Sequence, residues 1–414
     1  MKVFKFGGAS VKDADSVKNV SEVLKIAGCE NCFLVISAMG KTTNHLEEVV
    51  EAYFKNENYA EKIETIQKNH LEISHTLFEE NNPIFTEIEL FFSDIIAFLR
   101  RNKSPNYNYV YDQIVGCGEL ISTKIVNAYL QSIGLNSKWL DIRDYIKTDS
   151  TYREGKVDWK ITEQNFKKLE LNSIYVSQGF LGSDNNYMTV TLGREGSDYT
   201  AAIVAYSLDA ESVTIWKDVP GVLNADPRYF KDTQLLKLIS YREAVELAYY
   251  GASVIHPKTL KPLENKEIPF YIKSFLNPKE EGTIVKKGQK LEPLIPCYIQ
   301  KKNQILVEIS SKDFSFMAEE HLGEIFEKLA ELSIKVSLIQ TSALCLSLCL
   351  EDKFNNINTF VEELQNTYNF EIINNVTLYT VRHFDKKAQL KVTEGKNVLL
   401  EQIIKENLQI VIQE

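Results

Sequence analysis

The sequence predicts an α/β layered fold with a central, largely parallel sheet, followed by a ferredoxin-like βαββαβ region at the C-terminal end. Three observations predict it. Short β-type runs alternate with helical periodicity over the first two-thirds of the 414 residues, the pattern of helices packed on a parallel sheet. Turn formers then cluster at 279–296, where Pro-Lys-Glu-Glu-Gly-Thr, Lys-Lys-Gly-Gln-Lys and two further prolines mark a boundary. Beyond it, strands and helices follow in the order of one βαββαβ unit. A chain of this length exceeds one compact core and fits two or three domains.

Taken in order, strands are expected at 3–6, 33–37, 173–177, 213–216 and 270–272. Between them lie helices such as 17–26, with apolar residues at 17, 20, 23, 24 and 27, and 119–130. Residues 45–103 interrupt the alternation with a long helical pattern, read as a hairpin or lid that packs beside the sheet, its charges scattered as on a solvated face. In the tail the predicted order is strand 305–310, helix 322–332, strands 335–340 and 344–350, helix 357–367 and strand 370–373. A second, reduced unit is expected from strand 377–382, helix 397–405 and strand 408–412.

Hydrophobic residues make up 44% and charged residues 25%, an ordinary soluble balance. With 47 basic against 57 acidic residues the net charge is -10, which argues against a nucleic acid or an anionic membrane as main partner. Any anion must therefore meet cations concentrated in one site. No run approaches the ~18 apolar residues of a membrane span, and the start, Met-Lys-Val-Phe-Lys-Phe-Gly-Gly, lacks the apolar stretch of a signal peptide. A cytoplasmic location is the expectation. Of the six cysteines, Cys29 and Cys32 form a Cys-x-x-Cys pair and Cys345 and Cys349 lie in Leu-Cys-Leu-Ser-Leu-Cys-Leu. No histidines accompany them, and both pairs read as buried, inert thiols on strands rather than a redox or zinc site.

Three clusters carry chemistry. Lys5-Phe6-Gly7-Gly8-Ala9-Ser10 leaves a strand, crosses two glycines and enters a helix. Glycines let the backbone approach a phosphate, and free N–H groups at a helix start favour anions. A strand-ending lysine adds charge where a phosphoryl group transfers. The alternative is a plain strand–turn–helix junction capped by Ser10 or Asp13; the Walker spacing is absent. Next, Thr191-Leu192-Gly193-Arg194-Glu195-Gly196-Ser197-Asp198 sets a guanidinium among glycines before a helix at 199–206. Arginine grips a carboxylate through two parallel hydrogen bonds, whereas a simple cap at Ser197-Asp198 leaves Arg194 unexplained. Last, Lys217-Asp218-Val219-Pro220-Gly221 and Asp226-Pro227-Arg228 follow a strand, where α/β folds place ligands; two ordinary turns are the alternative.

Together the clusters resemble the aspartate kinases of the amino-acid-kinase superfamily, in order and spacing over residues 1 to about 284. Further matching segments are Ser37-Ala38-Met39-Gly40-Lys41-Thr42-Thr43-Asn44, Gly118-Glu119-Leu120, Gly179-Phe180-Leu181-Gly182 and Gly251-Ala252-Ser253-Val254-Ile255-His256-Pro257. The resemblance implies transfer of the γ-phosphoryl group of Mg-ATP to the β-carboxylate of L-aspartate, the first step toward lysine, threonine and methionine. It implies Lys5, Arg194 and Asp198 as catalytic residues, with Asp198 orienting Lys5. It implies Thr43, Glu119, Phe180, Arg194 and Ser197 around aspartate, Glu119 taking the ammonium. On the nucleotide side it implies Lys5, Gly7, Gly8, Ser10, Lys217, Asp218, Leu223, Arg228 and Ser253. His256, before a proline, reads as structural.

ATP and Mg²⁺ are the expected co-substrate and metal, and no protein ligand set for the metal is evident. An aspartate side chain is already ionised at neutral pH, with a pKa of about 3.9, so no general base is needed. Bringing it against a triphosphate requires positioning and charge neutralisation. The expected domains are a catalytic domain at 1–284, with an aspartate lobe to about 180, then an ACT domain at 297–376 and a reduced ACT-like unit at 377–414.

This sequence departs from the family pattern at several positions. Ala9 stands for a Thr or Ser, Glu195 for a Gly, Ser253 for a Lys that contacts nucleotide, Lys217 for a Thr and Leu223 for a Tyr. Lys217 is read as replacing the charge lost at 253. In lysine-sensitive members an Asp after the first ACT helix holds the effector's ammonium; Ser337 stands there, and Glu320 and His321 replace Gly and Phe of the effector loop. The tail therefore points to another amino-acid effector, or none, and ACT pairing points to a homodimer. Two other readings remain: a kinase of glutamate, N-acetylglutamate, carbamate or UMP, and a non-catalytic effector-binding subunit.

Overall fold

The computed structural model describes residues 1–28, 31–252, 255–313 and 315–413. Two compact units form: Met1–Val222, Leu235–Val245 and Val254–Leu291 make the first, and Leu223–Gln234, Glu246–Ser253 and Glu292–Glu414 the second.

In the first unit the strands are β1 (Lys2–Phe6), β2 (Cys32–Ile36), β3 (Ser137–Leu140), β4 (Ile174–Gln178), β5 (Leu181–Ser183), β6 (Thr189–Thr191), β7 (Ser212–Lys217), β8 (Leu238–Ser240), β9 (Phe270–Ser274) and β10 (Thr283–Lys286). β5 and β6 pair as a hairpin; the others join one sheet in the order β3-β4-β2-β1-β7-β9-β10-β8. All its pairings are parallel except β9 with β10. Cys-Phe-Leu-Val-Ile of β2 is buried throughout, as a strand covered on both faces must be. In register, Phe6 meets Ile36 on one side and Trp216 on the other. The carboxyl ends of β1, β2 and β7 are thus nearly level, with Gly7 and Ser37 leaving the sheet beside Lys217, the last residue of β7. That is the crevice where an α/β sheet binds ligands.

The helix Ala14–Ala27 starts on an Asp13 cap that accepts from the Ser16 N–H at 2.8 Å and stops at Gly28, φ +63°. The 45–103 segment forms three helices, Thr42–Phe54, Ala60–Leu77 and Ile84–Arg101, rather than a hairpin. Their residues Leu46, Ile63, Ile88 and Phe92 join the main core with Phe4, Leu34 and Val176, so the segment is packing, as its pattern suggests.

In the second unit, β11 (Cys297–Ser311), β12 (Lys335–Thr341), β13 (Cys345–Glu351), β14 (Tyr368–Arg382), β15 (Asn397–Ile404) and β16 (Asn407–Gln413) form an antiparallel sheet, order β12-β13-β11-β14-β16-β15. The helices Glu319–Glu331 and Ile357–Leu364 lay Ile325, Leu329 and Phe360 on Val307, Ile309 and Leu348. The expected breaks before 305 and at 374–376 do not occur: β11 and β14 run unbroken, each serving both halves of the sheet. The helix expected at 397–405 is the strand β15, and the helix lies instead at Lys386–Thr393, capped by Asp385.

Cys29 lies outside the described residues, and Cys32 is disulfide-bonded, not the free thiol expected. Cys345 and Cys349 are free thiols on β13; Cys349 is buried as expected, whereas Cys345 is only partly buried. No helix among the described residues is long and apolar enough to cross a membrane.

Candidate active site

Lys5 lies on β1, almost wholly buried, and its Nζ is 2.7 Å from Oδ1 of Asp198. Asp198 sits in the first turn of the helix Gly196–Ser207, where the free N–H groups already favour a negative charge. Lys217, ending β7, approaches the other oxygen, Oδ2, at 3.4 Å. Burial alone would raise the Asp198 carboxyl, but the two lysines outweigh it and hold it below the usual carboxylate range. One buried anion is thus shared by two cations, so the cluster of Lys5, Asp198 and Lys217 carries one excess positive charge.

The turn after β1 brings backbones into contact. A Cβ at Gly8 would lie 2.8 Å from the carbonyl oxygens of Ala38 and Gly40, so only glycine lets the loops after β1 and β2 meet. The Gly40 N–H donates to Gly8 O at 3.1 Å, and Gly7 O accepts from the Ser10 N–H at 2.9 Å. Ser10 is buried with its hydroxyl unpartnered, so it does not cap the helix, which Asp13 does.

A cavity of about 780 Å³ opens beside Lys5, lined by Thr43, Glu119, Phe180, Arg194 and Ser197. Glu119 projects from the helix Cys117–Ser132 and is 2% exposed. Its Oε1 accepts from the Ala38 N–H at 3.4 Å, and its Oε2 has no partner. Burial pushes this carboxyl up to about 8, opposed by those backbone contacts and by Lys5. A buried, half-satisfied carboxylate facing a cavity is poised for a cation with donors to spare. Arg194, exposed, also lines the cavity, on a loop bent through Gly193 (φ +77°) and Glu195 (φ +54°). Glu195 holds the left-handed conformation that glycine takes without strain. Gly179 is required because a Cβ there would lie 2.5 Å from Ser197 Oγ.

The structure therefore brings Lys5, Thr43, Glu119, Phe180, Arg194 and Ser197 to one cavity and Asp198 and Lys217 to its charged edge. Asp218 follows β7 and is exposed. Leu223 and Arg228 fall within the second compact unit, where Arg228 forks onto Asp226 at 2.6 Å, exposed. Ser253 lies outside the described residues. His256 caps the helix Pro257–Asn265, accepting from the Lys258 N–H, the structural part expected of it. The cavity is also lined by Asn108, Tyr111, Thr151, Tyr152, Arg153 and Glu154, which sequence reasoning missed. Thr-Tyr-Arg-Glu-Gly carries no motif, and only its Arg-Glu beside a glycine hinted at more than a loop. Among the described residues no group of three or more His, Cys, Asp or Glu is gathered to cage a metal.

The family model for the amino acid kinase family matches residues 1–274. The chain is 32% identical over 354 residues to lysine-sensitive aspartokinase 3 of Escherichia coli (strain K12), spanning 84% of this chain and 78% of that protein. It is similar in structure to E. coli aspartokinase III in complex with lysine and aspartate in the T-state, with a TM-score of 0.83, 28% identity and coverage of 99% and 95% of the two chains. A second structure, E. coli aspartokinase III in complex with aspartate and ADP in the R-state, gives a TM-score of 0.81 and 28% identity over 100% and 96%.

Proposed function

The chain belongs to the amino acid kinase family and is an aspartate kinase, a phosphotransferase; we propose that it transfers the γ-phosphoryl group of Mg-ATP to the β-carboxylate of L-aspartate, giving 4-phospho-L-aspartate. The observation that carries this reading is one cavity holding a buried carboxylate with a free oxygen, Glu119, and two cations, Lys5 and Arg194. Aspartate brings one ammonium and two carboxylates, and the three side chains match them in sign. Glu119 takes the ammonium, Arg194 the α-carboxylate, and Lys5 lies between the reacting carboxylate and the phosphate. Thr43, Phe180 and Ser197 complete the acceptor pocket.

In the reaction a β-carboxylate oxygen forms the bond to the γ-phosphorus as the bond to the bridging oxygen of ADP breaks, and no proton is gained or lost. The chain's task is to offset repulsion between anions. Asp198 fixes the Lys5 ammonium, and Lys217 adds a second charge; Gly7, Gly8 and Ser10 border the phosphates. Asp218, Leu223, Arg228 and Ser253 are assigned to the nucleotide on resemblance alone. The donor set fits a Mg²⁺ that arrives on the triphosphate, because Asp198 is engaged by two lysines and Mg²⁺ keeps phosphate and water ligands. Once bound there, it would neutralise phosphate charge.

We assign residues 1–284 to the catalytic domain and 297–414, one sheet with β14 running through it, to the ACT region that would carry an amino-acid effector and a homodimer contact. The product feeds lysine, threonine and methionine synthesis. A hydroxamate assay tests the reading: product with Mg-ATP and aspartate, and none with glutamate, N-acetylglutamate, carbamate or UMP, is the expected result. No product with saturating Mg-ATP and aspartate would sink it in favour of an effector-binding subunit.

A further inference from the structure

Asp112 is a fully buried acid with no direct part in the chemistry just described. It lies on the helix Tyr107–Val115. Its Oδ1 accepts from the Thr191 hydroxyl at 2.8 Å, and its Oδ2 accepts from the backbone N–H of Thr191 at 2.9 Å and of Arg153 at 3.0 Å. Burying a carboxylate costs free energy that hydrogen bonds must offset. Here desolvation still pushes it up to about 6 against those three donors.

The two segments held by this carboxylate are both walls of the acceptor cavity. Thr191 ends β6 and leads through Leu192 and Gly193 to Arg194. Arg153 belongs to the 151–154 stretch that also lines the cavity. The segments also touch directly: the Gly155 N–H donates to Thr191 O at 2.9 Å, and a Cβ at Gly193 would come within 3.2 Å of Arg153 O. Arg153 has φ +70°, a conformation an arginine holds only when its surroundings impose it. Its N–H on Asp112, its guanidinium over the Tyr111 ring at 4.0 Å and its ion pair with Glu47 at 3.2 Å impose it.

We propose that Asp112 is a positioning residue for the acceptor site, clamping the 151–155 loop against the strand that delivers Arg194 and so fixing the guanidinium that grips the acceptor's free carboxylate. This rests on the aspartate reading above. A group held in geometry by a buried, multiply bonded neighbour loses precision of binding when that neighbour is changed.

Steady-state kinetics of Asp112→Asn and Thr191→Val, with aspartate and ATP varied separately, tests it. The asparagine keeps one acceptor oxygen and loses the other; the valine removes only the hydroxyl bond. Each is expected to raise the aspartate KM by about tenfold, the loss of one buried hydrogen bond, with the ATP KM within about twofold of wild type. Thr191→Ser, which restores the hydroxyl, should recover the wild-type value. Equal rises in both KM values, or unchanged kinetics, would overturn the proposal. If Asp112→Asn does not fold, the Val and Ser pair decides. Wild type that is active on aspartate while the variants are unaltered defeats this inference alone; wild type inactive on aspartate defeats the acceptor reading with it.

Discussion

Lys217 Nζ lies 3.4 Å from the Asp198 carboxylate, on the oxygen that Lys5 leaves open. The lysine extends the charge of Lys5 toward the end of β7, where Asp218 follows. If it supplies the cation that Ser253 lacks, it acts on the nucleotide rather than the acceptor. Lys217→Ala should raise the ATP KM about tenfold and the aspartate KM much less. Similar changes in both, measured with one substrate saturating, would count against the assignment.

Asp198 offers a sharper test of the charge pair. Asparagine in its place leaves Lys5 and Lys217 facing each other without the anion between them. We expect kcat to fall by about 10²-fold, the usual cost of losing a preorganised electrostatic group, with Lys5→Ala falling at least as far. Because the Asp198 carboxyl is held low, its contribution to stability is present above the unfolded pKa of about 3.9 and is lost as pH falls through the folded value. Asp198→Asn should therefore flatten the acid end of the unfolding profile. A variant with wild-type kcat would remove Asp198 from the site.

The catalytic fold was legible because its strands are short apolar runs set between periodic helices, and because glycines such as Gly8 and Gly193 announce turns where backbones meet. Lys5, Glu119, Arg194 and Ser197 share one cavity, consistent with the roles the resemblance implied. Asp112 was not legible: its partners are a hydroxyl and two backbone N–H groups from segments 41 and 79 residues away, which leave no spacing to read. The tail hid its second half for a different reason. Asn-Val-Leu-Leu-Glu-Gln-Ile-Ile fits either period, and its hairpin to β16 turns at Lys405 (φ +54°) and Glu406 without a glycine or asparagine to flag it.

The Glu119 carboxyl, pushed up to about 8 by burial, makes acceptor binding depend on pH. An ammonium pairs with the ionised form, so the aspartate KM should fall by about tenfold per pH unit as pH approaches 8 from below, then level off. The same shift has the opposite sign for the empty protein. A carboxyl whose folded pKa is raised stabilises below its unfolded pKa, and that stability is lost as pH rises through about 8. Glu119→Gln should abolish the pH slope of KM and raise its plateau. A wild-type aspartate KM that is flat between pH 6 and 8 would contradict the role given to Glu119.

On the effector reading proposed above, Ser337 stands where lysine-sensitive relatives carry an Asp, and here its hydroxyl accepts from Lys301 Nζ at 3.4 Å. Lys301, on β11, is partly buried, which lowers its pKa, and its Nζ already takes the donor place at the Ser337 hydroxyl. A second ammonium, from free lysine, would meet repulsion and a hydroxyl in place of a carboxylate. The E. coli relative is named as lysine-sensitive, which makes the contrast measurable. Titrating the kinase with lysine, threonine and methionine should show weak or no inhibition by lysine. Ser337→Asp should pair with Lys301 and change the response to lysine only when combined with Lys301→Ala, which frees the new carboxylate. Strong lysine inhibition of the wild-type chain would defeat the argument, because it would mean that an effector ammonium binds despite the lysine already facing Ser337.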